Sequence, residues 1–207
     1  MKRLPILLLV IISAVSETSQ AATIVISQPN FTRLEDYQPS GFGQSFTASG
    51  NYSIGAINLY VSSSFGGSDI TLRLYDFNSL TSTLGGVVRG TGVLMESTLS
   101  NVGAWKTVSL EAPFKVSSGV TYTFTIIAKD PGGSATGWNN YGVSTTDVYS
   151  GGNQLSLGSG NSVTKQTADL SFQVVAVPEP NISALLAAAF MIGTTRRTIK
   201  GVAKSQR

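Results

Sequence analysis

The sequence of 207 residues contains no cysteine and no histidine, and these two absences exclude several classes of chemistry. Disulfide frameworks and cysteine nucleophiles need a thiol, the usual zinc sites need thiolates or imidazoles, and every Ser-His-Asp arrangement needs an imidazole. We therefore expect a protein that is not an enzyme and that carries no cofactor and no metal ion.

Charge is also scarce, and little of it lies where a nucleic-acid-binding protein would need it. Charged residues make up 12% of the chain, and the net charge is +3. Counted by position, the net charge is +1 over residues 1–22, −2 over 23–178 and +4 over 179–207. The middle has no stripe of lysine and arginine to neutralise phosphates, so we predict no nucleic-acid partner.

The amino-terminal segment has the three parts of a secretory signal peptide. Lys2 and Arg3 precede an apolar run over residues 4–15, and Ala21 and Ala22 supply small residues at a cleavage site. The run is shorter than the ~20 residues that a membrane span needs, which favours a cleaved signal over an uncleaved anchor. Residues 1–22 therefore predict export through the Sec translocon, with removal of the segment by signal peptidase.

The carboxyl-terminal segment, residues 177–207, predicts a short membrane anchor. Pro178, Glu179 and Pro180 end the last strand-like segment, since two prolines flanking one residue continue neither a sheet ladder nor a helix. Residues 182–195 are apolar and uncharged, and as a helix they would reach roughly 21 Å, short of the hydrocarbon core of about 30 Å. Arg196 and Arg197 follow, so the positive-inside rule places the terminus in the cytoplasm.

This order of elements resembles the PEP-CTERM sorting signal of exported bacterial proteins. The matching elements are Pro178-Glu179-Pro180, the helix over 182–195, and the Arg196-Arg197 pair. The resemblance implies that an exosortase, a membrane-embedded transpeptidase, cleaves the chain near the motif and releases it from the inner membrane to the cell surface or the medium. An ordinary tail anchor, with the same topology and no processing, is the alternative.

The middle, residues 23–176, is patterned as β-strands separated by Gly, Ser, Asn and Pro. In Val120–Ile126, for example, apolar side chains alternate with threonines, which predicts one buried and one solvated face. Eight strands are predicted, over residues 23–27, 43–48, 53–61, 70–77, 93–98, 105–110, 120–126 and 170–175. No window has a helical stripe, so we predict an all-β antiparallel sandwich, with a jelly roll favoured over an immunoglobulin-like arrangement.

The same region is similar to a group of exported bacterial domains that precede such anchors. The matching positions are an early Gln-x-Phe-Thr (Gln44, Phe46, Thr47), a Trp-x-x-x-x-Leu strand (Trp105, Leu110) and an aromatic strand (Tyr122, Phe124). This similarity implies a jelly-roll-like fold. From its own segment, Trp105 is interpreted as core or sheet-edge packing.

One cluster has the residue types that recognise sugars. Aromatic rings stack on the C–H face of a pyranose while amides bond its hydroxyls. The cluster lies in the Gly/Ser-rich stretch over 131–160, which is predicted to be a long loop, and consists of Trp138, Asn139, Asn140, Tyr141 and Tyr149. The alternative is that the rings plug the open end of the sandwich and the asparagines make turns.

The ends and the middle together predict an exported envelope or matrix protein that displays a β-sandwich and binds exopolysaccharide. Two alternatives stay open. One is a structural surface component with an unprocessed anchor and no discrete ligand, and the other is a polysaccharide-active enzyme. Calcium held by Asp130, Asp147 or Asp169 would require ligands from distant segments, because no Asp-x-Asp-x-Asp-Gly loop is present.

Overall fold

The computed structural model describes residues 21–36, 41–63, 69–128, 139–158 and 161–178. These residues belong to one compact unit, Ala21–Pro178. The predicted signal peptide, apart from Ala21 and Ala22, lies outside the described residues, as do the predicted helix over 182–195 and the basic tail. No helix within the described ranges has the length and hydropathy of a membrane span.

Thirteen strands and one short 3-10 turn, Glu96–Thr98, make up the regular structure of the described residues, which contain no α-helix. The strands are β1 (Thr23–Gln28), β2 (Arg33–Asp36), β3 (Phe42–Thr47), β4 (Tyr52–Ser63), β5 (Ile70–Asn78), β6 (Thr83–Leu94), β7 (Ala104–Val116), β8 (Thr121–Ala128), β9 (Asn139–Ser144), β10 (Gln154–Leu157), β11 (Val163–Lys165), β12 (Asp169–Leu170) and β13 (Phe172–Val177).

The strands form two antiparallel sheets, which confirms the predicted sandwich. Eight of them make a frame, ordered β1-β13-β4-β7 in the first sheet and β3-β8-β5-β6 in the second. The chain passes between the sheets so that the first and last strands are neighbours, the strand order of a jelly roll. β2 and β9–β12 are insertions into this frame: β2 and β12 pair with β9 beside the first sheet, and β10 and β11 extend the second.

The main core fills the space between the sheets, where the frame strands turn buried apolar residues toward one another. Phe46, Phe124 and Phe172 are fully buried at its centre, one from each of β3, β8 and β13. Their ring centroids lie 5.4 to 6.5 Å apart in tilted pairs, a separation at which aromatic rings attract one another.

The outward face of the second sheet is covered around Thr123 and Thr125, contrary to the prediction of a solvated threonine face. Thr123 and Thr125 are 0% and 1% exposed. Leu155 of β10 and Tyr75 of β5 flank them in register on that face and join a second apolar cluster with Leu84 and Val163. The alternation correctly separated the two faces of β8, but the strands that cover its outer face come from distant parts of the chain.

Three predicted segments differ in the structure. Residues 93–98 do not form one strand, because β6 ends at Leu94 and the 3-10 turn follows. The stretch over 131–160 is not a continuous loop, since it contains β9 and β10. The third segment, residues 33–36, lies outside the eight predicted strands but forms β2, whose carbonyl and amide groups pair with β9. In the second and third cases, pairing with a partner strand outweighs a weak local pattern. Residues 95–98 instead lie beyond the last pair of β5 and β6, Ile70 with Leu94.

Candidate functional site

The structure distributes the predicted sugar-binding cluster over core and edge positions. Asn139 and Tyr141 are 0% and 1% exposed. Burial raises the pKa of Tyr141, and a hydrogen bond with the Asn139 side chain opposes this shift. Asn140 and Tyr149 are half-buried, and the Tyr149 ring packs edge-on against Phe172 at 5.3 Å. Trp138 lies outside the described residues. Asn139, Tyr141 and Tyr149 are therefore packing residues, and the first two offer no surface to an external glycan.

Of the predicted sorting motif, only Pro178 is within the described residues. It is exposed and follows directly on the last residue of β13, Val177. Glu179, Pro180, Arg196 and Arg197 lie outside the described residues. The sorting signal therefore remains a prediction from the sequence.

Asp169, considered above as a calcium ligand, is instead the centre of a buried hydrogen-bond network. Its carboxylate accepts bonds from the Gln44 side-chain amide at 2.9 Å and from the backbone N–H groups of Val148 and Tyr149, both at 2.8 Å. Burial raises the pKa of this carboxyl, and these hydrogen bonds offset the shift only in part. No three carboxylate side chains come together as metal ligands in the described ranges.

Three aromatic rings form a group on the outward face of the first sheet. Tyr60 of β4 and Trp105 of β7 are a cross-strand pair with ring centroids 5.7 Å apart and an edge-on arrangement. Phe31, from the connection between β1 and β2, stacks on Tyr60 at 4.4 Å with an interplanar angle of 26°. Phe31 is 41% exposed and Trp105 38% exposed. Rings that would usually be buried thus remain open to solvent on one face.

Two glycines provide the space in which the Tyr60 ring lies. A Cβ atom added to Gly103 would lie 2.6 Å from Tyr60 Cε1, and one added to Gly142 would lie 3.1 Å from Tyr60 Cδ1. Both distances are shorter than ordinary carbon contacts. The ring position therefore depends on glycine at two sites that are 39 residues apart in the chain.

A row of uncharged polar side chains crosses the same sheet face beside the rings. Ser27, Gln173, Asn58 and Thr107 lie opposite one another in register on β1, β13, β4 and β7. Thr107 donates to Asn58 Oδ1 at 2.8 Å, Asn58 Nδ2 donates to Gln173 Oε1 at 2.9 Å, and Gln173 Nε2 donates to Ser27 Oγ at 3.5 Å. We call this row the polar ladder, and the ladder together with the three rings the ladder face.

The direction of these bonds determines what the polar ladder can offer to a ligand. Each primary amide uses one of its two N–H groups within the ladder, so Asn58 and Gln173 each retain a second donor. The Ser27 hydroxyl accepts from Gln173 and keeps its own proton for donation. A molecule with acceptor oxygens along its edge would therefore meet preoriented donors on the ladder.

The ring row and the polar ladder are parallel and closely spaced. Tyr60 and Asn58 are two residues apart on β4, as are Trp105 and Thr107 on β7, which separates the rows by roughly 7 Å. The ladder crosses three strand intervals, about 14 Å in all. A flat molecule with one apolar face and several oxygens along its edge would contact both rows at once.

A concave feature lies elsewhere, between β2 and β9 of one sheet and β3 and β10 of the other. This cleft has a volume of about 460 Å³, and its polar lining includes Arg33, Glu35, Thr145, Gln154, Ser156 and Gln166. Arg33 and Glu35 form an ion pair with each other. The aromatic ring beneath the cleft, Phe42, is 5% exposed and packs on Tyr141, so the cleft offers no open ring surface.

Comparisons with known proteins identify no family for the chain. No protein-family model and no curated protein matches it. Among solved structures, it is similar to the cysteine protease and lectin-like domains of Cwp84, a surface layer associated protein of Clostridium difficile, with a TM-score of 0.44 and 9% sequence identity. That match covers 70% of this chain and 36% of the other, so the chain spans about a third of the length of the solved structure.

Proposed function

We propose that this chain is an exported envelope or extracellular-matrix protein whose β-sandwich binds exopolysaccharide through the ladder face. The observation that carries the proposal is the in-register polar ladder beside three ring side chains on an open sheet surface. A pyranose has an apolar C–H face and a rim of hydroxyl, ring and glycosidic oxygens, which can accept from the free N–H and O–H groups of the ladder. The role is binding, and the proposal assigns no catalytic group.

Preorganisation of the ladder face favours binding. The ladder side chains are held by their bonds to one another, and Tyr60 is held by Phe31, Trp105 and two glycines, so little rotamer freedom remains to be lost on binding. The cross-strand pairing of Tyr60 with Trp105 stabilises the sheet by itself. Phe31, supplied by the connection between β1 and β2, adds a third ring that is 41% exposed.

Removing the rings should weaken retention on polysaccharide. We expect Trp105→Ala and Tyr60→Ala each to lower the affinity for the producer's own exopolysaccharide at least about tenfold, or roughly 1.4 kcal/mol. Affinity electrophoresis or pull-down on the purified polymer measures the effect, with circular dichroism to verify folding. Leu80→Ala, at a side chain that is 94% exposed in the turn after β5, is the matched control and should bind as the wild type does. Equal retention of all four proteins would favour a structural surface component without a discrete ligand.

We also propose how the chain is exported, anchored and cleaved. We infer that the Sec translocon exports it, that signal peptidase removes residues 1–22, and that the helix over 182–195 holds it in the inner membrane with a cytoplasmic terminus. An exosortase-type transpeptidase then cleaves near Pro178-Glu179-Pro180. The order of motif, apolar helix and Arg196-Arg197 supports this inference. Cleavage beyond Val177 would leave every described strand intact.

Co-expression tests the processing. With an exosortase present, the mass of the mature protein should fall by about 30 residues, the length of the tail from Pro178 onward. Intact mass spectrometry measures the change, and a variant with Glu179→Ala tests its dependence on the motif. A mass that is unchanged by the exosortase would support the unprocessed tail anchor instead.

A further inference from the structure

The residues of the ladder face are all uncharged, and this indicates the class of ligand. The inference rests on the binding role proposed above. The polar ladder consists of two hydroxyl and two amide side chains, and the next outward position on β7 is the hydroxyl of Ser109. No arginine or lysine is among the four ladder residues or the three ring residues. A carboxylate-bearing polymer would find no cation here to compensate for the loss of its hydration.

The alternation of β7 turns Lys106 away from these rows. Lys106 lies between Trp105 and Thr107 on β7, so its side chain leaves the opposite face of the strand. Its ammonium group donates to the carbonyl oxygen of Thr98 at 2.5 Å. Arg33 and Glu35, on the edge strand β2, line the separate cleft and pair with each other.

We propose that the ladder face takes an uncharged, extended polysaccharide chain that lies across the strands, along the polar ladder. The ladder crosses about 14 Å, which is longer than one sugar ring. The two rows are roughly 7 Å apart, which matches the width of a single polysaccharide chain. Sugars along the chain place an apolar face or edge on Phe31, Tyr60 and Trp105. Their oxygens accept from the free donors of Asn58, Gln173 and Ser27.

The test uses oligosaccharides of defined length and charge with the full chain in detergent. One panel holds neutral glucan, mannan, xylan and galactan oligomers, and the other holds alginate and pectate oligomers of matched length. We expect binding to at least one neutral series, with affinity rising from monosaccharide to about trisaccharide as the ladder fills. Between about 0.01 M and 1 M salt, the affinity should change less than about twofold, because no ion pair is screened.

A second experiment places a positive charge on the polar ladder. Thr107→Lys should add salt-sensitive binding of alginate oligomers, whereas Leu80→Lys, with the same added charge in the turn after β5 of the second sheet, should not. Preference of the wild-type protein for the uronic-acid polymers, weakened by salt, would overturn the inference and leave the proposed binding role intact. Binding to neither panel nor to the producer's own polysaccharide would overturn the binding role as well.

Discussion

Replacing Phe172 with alanine should lower the free energy of unfolding by about 3–5 kcal/mol, the range for a fully buried phenylalanine. Phe172 is 0% exposed, and its ring contacts Phe46, Phe124 and Tyr149 with centroids 5.3 to 6.5 Å away. These partners belong to β3, to β8 and to the segment between β9 and β10, so the cavity would open where both sheets meet. Chemical denaturation monitored by circular dichroism measures the loss.

Phe31→Ala is the matched control for this experiment. Its ring is 41% exposed and lies on the outer sheet face, so the same substitution should cost less than about 1 kcal/mol. In a polysaccharide-binding assay the order should reverse. Phe31→Ala should weaken binding because it removes a ring from the ladder face, whereas Phe172→Ala should not. Equal destabilisation by both substitutions would contradict the assignment of Phe172 to the core and Phe31 to the surface.

Gln44→Leu should lower the free energy of unfolding by about 2–4 kcal/mol. The Gln44 side chain donates to the Asp169 carboxylate at 2.9 Å and accepts from the backbone N–H of Leu170 at 2.9 Å. Both partners are buried, so leucine would leave an ionisable oxygen and an amide proton without their hydrogen bonds. The cost comes from these orphaned partners, since leucine itself fills a similar volume.

The control for Gln44→Leu is the same substitution at Gln166, whose side chain is exposed and makes one long contact of 3.5 Å with the Thr164 carbonyl. That variant should lie within about 0.5 kcal/mol of the wild type. If Gln44→Leu were equally mild, the connection from β3 to β12 through Asp169 would not stabilise the fold. Denaturant titration of the pair distinguishes the two outcomes.

Local alternation made the sandwich predictable. Tyr122, Phe124 and Ile126 alternate with threonines on β8, and all three are buried in the main core as the pattern indicates. The same pattern cannot reveal which strands pair across long separations. The cover over Thr123 and Thr125, the strand β2, and the closure of Gln44 on Asp169 over 125 residues all depend on such pairing. Gln44 belongs to the Gln-x-Phe-Thr segment, but that segment does not reveal its hydrogen-bond partners.

Two residues of the predicted binding cluster, Asn139 and Tyr141, are buried, and the ladder face is where we propose the same chemistry. Rings and amides adjacent in sequence, such as Asn139 and Tyr141, turn inward because β9 packs into the core. The rings and amides that share an open surface are adjacent across strands, as with Tyr60 and Trp105, which are 45 residues apart. The alternation of β4 and β7 indicates which of their residues face outward, but it does not indicate which residues of the two strands pair with each other.

The central claim, that the ladder face binds polysaccharide, can be tested most directly with one fluorescence titration. The chain has two tryptophans, so a Trp138→Phe variant leaves Trp105 as the sole tryptophan. Adding the producer's own exopolysaccharide to this variant should shift Trp105 emission to shorter wavelength, because a stacked sugar removes water from the exposed ring, and Tyr60→Ala should abolish that shift. Retention of the variant on the polymer without any change in Trp105 emission would contradict the account.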